Sequence, residues 1–226
     1  MRSIQKIVRY RVGDGGPQIV LLHGFAGGTD DLSAFAKSMG VNGEFFFPEA
    51  PLALDRTGAG ELGGHTWWPS DGASRALALA SGQPRDLSSF EPPELEEARA
   101  TLREFLDTIR VGSERTPLVL GGFSQGAMLA FDYALHSARE LAALVMLSGC
   151  RIAERKWNPL LEKRRGQRAF ISHGRADPDL AFSATERFKD DLTNAGWLVD
   201  FLAFEGGHGT SVQAVRGLKK FLRALA

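Results

Sequence analysis

The stretch Gly122-Phe123-Ser124-Gln125-Gly126 sets one serine between two glycines, after an apolar run and before a helical pattern. G-x-S-x-G suits a nucleophile on a tight strand-to-helix turn, because residues two positions away must lack bulk for the strand and helix to close. Ser124 would then stand at a helix N-terminus, where backbone N–H groups favour a developing negative charge. A serine hydroxyl is a weak nucleophile at neutral pH. It needs a base to take its proton and a carboxylate to orient that base. Two downstream stretches supply them in the order Ser, Asp, His: His173-Gly174-Arg175-Ala176-Asp177-Pro178 and Gly206-Gly207-His208-Gly209. Asp177 is the expected carboxylate and His208 the expected base. Asp179 is the alternative carboxylate, or else a solvated loop or capping residue. His136 reads as a surface or packing residue and His173 as a loop-shaping hydrogen bonder. His65 reads as a loop residue facing cleft or solvent.

Acyl transfer also needs donors for the oxyanion. One is the backbone N–H of Gln125. The second comes from the loop Leu22-His23-Gly24-Phe25-Ala26-Gly27-Gly28, with Phe25 N–H the candidate. The bland reading of that loop is a turn ending a strand. Trp67 and Trp68 either plug the core edge or line an apolar acyl pocket with Phe25, and Leu52 and Leu54 are expected in the same wall.

Other chemistries find little support. Gly58-Ala59-Gly60-Glu61-Leu62-Gly63 spells G-x-G-x-x-G, but prolines and polar residues surround it where a dinucleotide site needs a strand and a helix. It reads instead as a flexible flap. No spacing suggests a metal site, and no cofactor is expected. The lone cysteine, Cys150, forms no internal disulfide and reads as a small buried filler. Lys and Arg number 27, as do Asp and Glu, so no basic surplus points to nucleic acid. No apolar run approaches membrane-spanning length, and the N-terminus lacks the core of an export signal, so no stable membrane insertion is expected and the default location is cytoplasmic. Nothing in the sequence assigns an oligomeric state.

The elements that must position these residues are read from periodicity. Residues 4–12 alternate and end at Gly13-Asp14-Gly15-Gly16-Pro17, which predicts an outer hairpin strand. Buried strands are predicted at 18–22, 44–47, 117–120, 141–147, 168–172 and 198–204. Helices are predicted from Thr29 or Asp30 to Met39, from Pro93 through Ile109, from after the Gly121–Gly126 stretch to about His136, and over 182–195 and 211–225. Residues 52–90, studded with proline and glycine, read as a long loop or flap over the site, with one short helix near 75–80. Alternating strands and helices predict a single α/β domain with a mostly parallel sheet. Ser124, Asp177 and His208 then emerge along one sheet edge.

The chain resembles the α/β-hydrolases of the phospholipase/carboxylesterase family, the group of bacterial carboxylesterases and acyl-protein thioesterases. The resemblance is carried by Leu22-His23-Gly24-Phe25, Phe47-Pro48-Glu49-Ala50-Pro51, Trp67-Trp68, the Ser124 motif, His173-Gly174-Arg175-Ala176-Asp177 and Gly207-His208, in the family's order. It implies an α/β-hydrolase fold with little or no cap domain. It also implies Ser124, Asp177 and His208 as triad, with Phe25 and Gln125 as oxyanion donors. The substrate expected is a small ester or thioester. Three functions compete: a carboxylesterase for short or medium acyl esters, a lysophospholipase or acyl-protein thioesterase with a long acyl channel, and a non-catalytic binding protein on the same fold.

Overall fold

The computed structural model describes residues 3–54, 63–69, 72–109 and 116–225. The order is β1 (Ile7–Val12), β2 (Gln18–Leu22), α1 (Thr29–Met39), β3 (Gly43–Pro48), β4 (Leu52–Ala53), β5 (His65–Thr66), α2 (Gly72–Ser81), α3 (Leu95–Ile109), β6 (Leu118–Phe123), α4 (Gln125–His136) and β7 (Ala143–Leu147). Then come α5 (Glu154–Trp157), a 3-10 turn (Asn158–Arg164), β8 (Arg168–Gly174), α6 (Phe182–Asn194), β9 (Leu198–Phe204) and α7 (Val212–Arg223).

Seven strands form one sheet in the order β1-β3-β2-β6-β7-β8-β9. Only β1 runs antiparallel to its neighbour. Strand residues alternate between two apolar layers. Ile19, Leu21, Phe45, Phe47, Val145 and Phe170 meet α1 and α7 on one face. Val20, Leu22, Leu120, Met146 and Ile171 meet α3, α4 and α6 on the other. Strands so covered are nearly all apolar. Leu102, Phe131 and Phe188 are each wholly buried in the second layer; burial of such a side chain contributes about 1.5–3 kcal/mol. Helix α4 is buried from Gln125 to Leu135, as its apolar composition on all sides requires.

The mostly parallel sheet flanked by helices is the fold class expected. Two readings are corrected. Strand β1 is at the outer edge but makes no hairpin with β2. It pairs with β3, where Arg9 and Arg11 meet Glu44, and its alternating, half-exposed pattern suits an edge better than the doubly covered β2. Residues 52–90 are more than a loop with one short helix. They hold the β4–β5 pair, the ten-residue helix α2 and a bridge from Arg85 to Leu180. The alanine and leucine run of α2 has high helix propensity, so the helix extends beyond 75–80. The glycine-rich 58–63 stretch lies largely outside the described residues. Helix α5 and the 3-10 turn had no sequence expectation.

The chain runs from β2 outward to β3, then returns to β6 on the other side of β2. The carboxyl ends of β2 and β6 therefore flank the point where strand order reverses, which is where open α/β sheets form a crevice.

Candidate active site

Strand β6 ends in the turn that carries Ser124. Its φ is +50° and its ψ −118°, a strained backbone for a residue with a side chain. The flanking glycines make the turn possible. A Cβ on Gly122 would come within 2.4 Å of Leu22 O, and one on Gly126 within 2.3 Å of the same atom. Ser124 N–H donates to Leu147 O at 2.8 Å, tying the turn to β7.

Ser124 Oγ lies 3.0 Å from His208 Nε2, and His208 Nδ1 lies 2.7 Å from Asp177 Oδ2. An ionised carboxylate only accepts, so Nδ1 carries the imidazole proton and Nε2 is left to accept from the serine. His208 is held by its loop: Ser148 Oγ donates to Gly209 O at 2.6 Å. Its ring also sits 5.0 Å from that of Phe123.

Asp177 is gripped on every side. Its Oδ1 accepts the N–H groups of Asp179 and Leu180 at 2.8 and 2.9 Å. Its Oδ2 faces His208 and also His173 Nε2, at 3.1 Å. Burial alone would raise the Asp177 pKa, but the hydrogen bonds from His173, His208 and Leu180 outweigh it and hold the carboxyl well below its ordinary range. Asp177 is thus the carboxylate brought to His208. Asp179 faces the other way and pairs with Arg75 and Arg85. His173 is wholly buried at the end of β8, between Asp177, Gly149 O and Thr185. Its Nε2 also lies 3.2 Å from Leu180 O in the loop that follows.

The loop after β2 reaches the same place. A Cβ on Gly24 would lie 3.3 Å from Ser124 Cβ. Ala50 N–H donates to His23 Nε2 at 2.9 Å, so His23 Nδ1 carries the proton and donates to Gly24 O at 2.8 Å. Gly24 C=O and Phe25 N–H belong to one planar trans peptide and point in opposite directions. Gripping the carbonyl therefore aims the Phe25 N–H away from the His23 ring.

A cavity of about 220 Å³ opens onto Ser124 and His208, with Phe25 and Phe123 in its lining. Its apolar wall is Trp68, Leu87, Phe90, Met128 and Leu180; its polar end is Ser74, Arg75, Arg85 and Asp179. Of the four pocket residues expected, Trp68 lines it. Trp67, Leu52 and Leu54 do not. Trp67 is buried, with its indole N–H on His23 O at 2.8 Å. Leu52 is drawn into the β4–β5 pair, and Leu54 N–H bonds Gly64 O beside it. Gln125 has a side-chain role that its backbone motif did not reveal. Its Oε1 accepts from Thr66 Oγ1 and Trp67 N–H, and its Nε2 donates to Trp68 O. Arg75 carried one usable signal, being the only ionisable residue in α2. Ser148, Leu87 and Phe90 carried none.

Outside the site, His136 and His65 bond backbone oxygens of Asp132 and Ala50. Cys150 is buried, which pushes its thiol pKa up. Among the described residues no group of three or more His, Cys, Asp or Glu is placed to hold a metal ion, and no helix is long and apolar enough to cross a membrane.

The family described as phospholipase/carboxylesterase matches residues 13–226. Acyl-protein thioesterase 1 of Neurospora crassa is 28% identical over 109 residues, covering 46% of this chain and 44% of the relative. The enzyme of the same name from Kluyveromyces lactis is 31% identical over 111 residues, covering 46% and 48%. The chain thus spans less than half the length of the curated relatives it matches. The crystal structure of esterase PE8 superposes with a TM-score of 0.77 at 23% identity, over 100% of both chains. With the family model covering nearly the whole chain, the chain belongs to the phospholipase/carboxylesterase family of α/β-hydrolases.

Proposed function

We propose that the protein is a serine hydrolase that cleaves carboxylic esters through an acyl-enzyme. The observation that carries the reading is the His208 ring, whose two nitrogens lie 3.0 Å from Ser124 Oγ and 2.7 Å from Asp177 Oδ2. His208 Nε2 takes the serine proton as Oγ attacks the carbonyl carbon. The imidazolium that forms is stabilised by Asp177, already ionised. The oxyanion is held by the Phe25 and Gln125 amides, each such donor being worth about 2.7–4 kcal/mol of barrier. His208 gives its proton to the leaving oxygen, then activates water to release the acid. These steps ask for no cofactor.

The cavity volume of about 220 Å³ favours short or medium acyl groups, since clefts for drug-sized ligands are typically about 300–1,000 Å³. The names of the curated relatives favour a second reading, a thioesterase for longer acyl chains.

Fluorophosphonate labelling tests the chemistry. The folded protein should label at Ser124, and Ser124→Ala should not label and should lose about 10⁶-fold in kcat. Folded protein that stays unlabelled rejects catalysis at this serine. A p-nitrophenyl ester series then separates the two readings. A maximum at short or medium length fits the esterase, and a rate still rising beyond about twelve carbons fits the thioesterase.

A further inference from the structure

The cavity at Ser124 has a cationic end. Arg75 and Arg85 both line it, and Asp179 is the only carboxylate among the described residues that do. Asp179 Oδ2 accepts from Arg75 Nε at 2.9 Å. Asp179 Oδ1 accepts from Arg85 Nε at 3.0 Å and from a second Arg85 nitrogen. Two guanidinium groups therefore share one carboxylate.

The two arginines are not equivalent. Arg85 is locked into the fold. Its N–H donates to Asp179 O, its carbonyl accepts from Ala181 N–H, and its side chain is only 14% exposed. Arg75 spends Nε alone on Asp179, and its side chain is 34% exposed. Among the described residues no acceptor occupies its two terminal nitrogens. Helix α2 is also turned against the usual partition. Leu77 and Leu79 face solvent, while the one charged residue faces the cavity and the buried carboxylate. Helices normally do the reverse. A surplus cation beside an apolar wall is costly to desolvate unless an anion joins it. The planar guanidinium fork matches a carboxylate or phosphate in bidentate fashion.

We propose that Arg75, oriented by Asp179 and backed by Arg85, binds an anionic group of the substrate, so that the preferred ester carries a carboxylate or phosphate on its acyl or alcohol side. The anion site rests on the esterase reading and narrows its substrate class. Arg75 acts on the distal anion and is not placed in the proton relay.

The test compares esters matched in length. On the acyl side, p-nitrophenyl hexanoate is set against the mono-p-nitrophenyl ester of adipic acid. On the alcohol side, hexyl acetate is set against 6-acetoxyhexanoate. The readout is the ratio of kcat/KM, anionic over neutral. In at least one arm it should exceed about tenfold, the weight of a charge-assisted hydrogen bond, and the arm that responds tells which side carries the anion. Arg75→Gln should pull that ratio down by about tenfold or more, with Arg75→Lys intermediate. Added salt should depress the anionic ester selectively in the unmodified protein, which keeps the test open if a variant fails to fold. A ratio at or below one in both arms, or a ratio unmoved by Arg75→Gln and by salt, overturns the proposal. Should neither ester of either pair be cleaved, the esterase reading fails by itself. Calorimetric titration with adipate then decides the anion site: binding weakened by Arg75→Gln supports it, and no binding overturns it.

Discussion

The edge of the sheet that carries Ser124, Asp177 and His208 and the wall to which residues 63–69 and 72–90 contribute are built by different means. At the edge, neighbouring strand ends fix one another through the backbone. Ser124 N–H bonds Leu147 O, and Ser148 N–H bonds Ser172 O. Gly174 lies so close to the next loop that a Cβ there would sit 2.4 Å from the carbonyls of Gly206 and Gly207. The wall is attached at scattered points, by isolated backbone bonds such as His65 N–H to Gly27 O, Arg85 N–H to Asp179 O and Ala153 N–H to Phe90 O, and by a few side chains. Gln125 holds residues 66–68, and Asp179 holds Arg75 and Arg85. The edge should thus govern the chemical step, and the wall should govern which ester reaches it.

The largest effect should come from the edge. Asp177→Asn keeps the shape of the carboxylate but donates where it must accept, and it removes the charge that stabilises imidazolium. Steady-state kinetics should show kcat lower by about 10⁴-fold with KM little changed. The same variant has a stability signature. The folded pKa of Asp177 lies below its unfolded value, so the ionised group stabilises the fold fully above about pH 3.9 and loses that contribution progressively as pH falls from there through the lower folded value. Urea midpoints of the wild type should fall between about pH 6 and pH 3, and those of Asp177→Asn should fall less. An equal fall in both would show that the grip of His173, His208 and Leu180 adds nothing to stability.

A middle-sized effect should come from the link between the two regions. Gln125→Leu leaves the Trp67 N–H without its side-chain partner in a buried place, while the Trp68 carbonyl keeps its bond from Thr66 Oγ1. An unsatisfied group of this kind costs about 1–3 kcal/mol, so chemical denaturation should show a loss of about that size. The backbone amide of residue 125 is untouched, so kcat should change by less than about tenfold while KM rises. A kcat loss as large as that of Asp177→Asn would erase the distinction between edge and wall.

The same division explains what was legible in the sequence. Ser124, Asp177 and His208 each sit in a short glycine-bearing loop after an apolar run, so a local pattern names the residue and its strand. The alternation of β2, β3 and β6 to β9 with helices fixed the sheet's class for the same reason. The wall has no such pattern. Arg75, Leu87, Phe90, Met128 and Leu180 come from three separate stretches and meet only through tertiary packing. Leu52 and Leu54 were expected there, and hydrogen bonding between β4 and β5 takes that segment elsewhere. Strand β1 taught the same lesson. Nearness suggested β2 as its partner, while the charge match of Arg9 and Arg11 with Glu44 accompanies pairing with β3.

The smallest effect should sharpen the wall itself. Phe90 is 36% exposed and lines the cavity, so Phe90→Ala removes contact area from an acyl chain without opening a hole in the core. At about 25 cal/mol per Å² of apolar surface, the loss for a bound ester is on the order of 1 kcal/mol, or about fivefold in KM. That loss should grow with acyl length, since a two-carbon chain reaches less of the wall than a longer one. Leu54→Ala is the matched control, because Leu54 does not line the cavity. Measured across the p-nitrophenyl ester series, Phe90→Ala should tilt the chain-length profile and Leu54→Ala should leave it parallel to the wild type. The reverse result would move the acyl wall back to the β4 segment, where the sequence reading had put it.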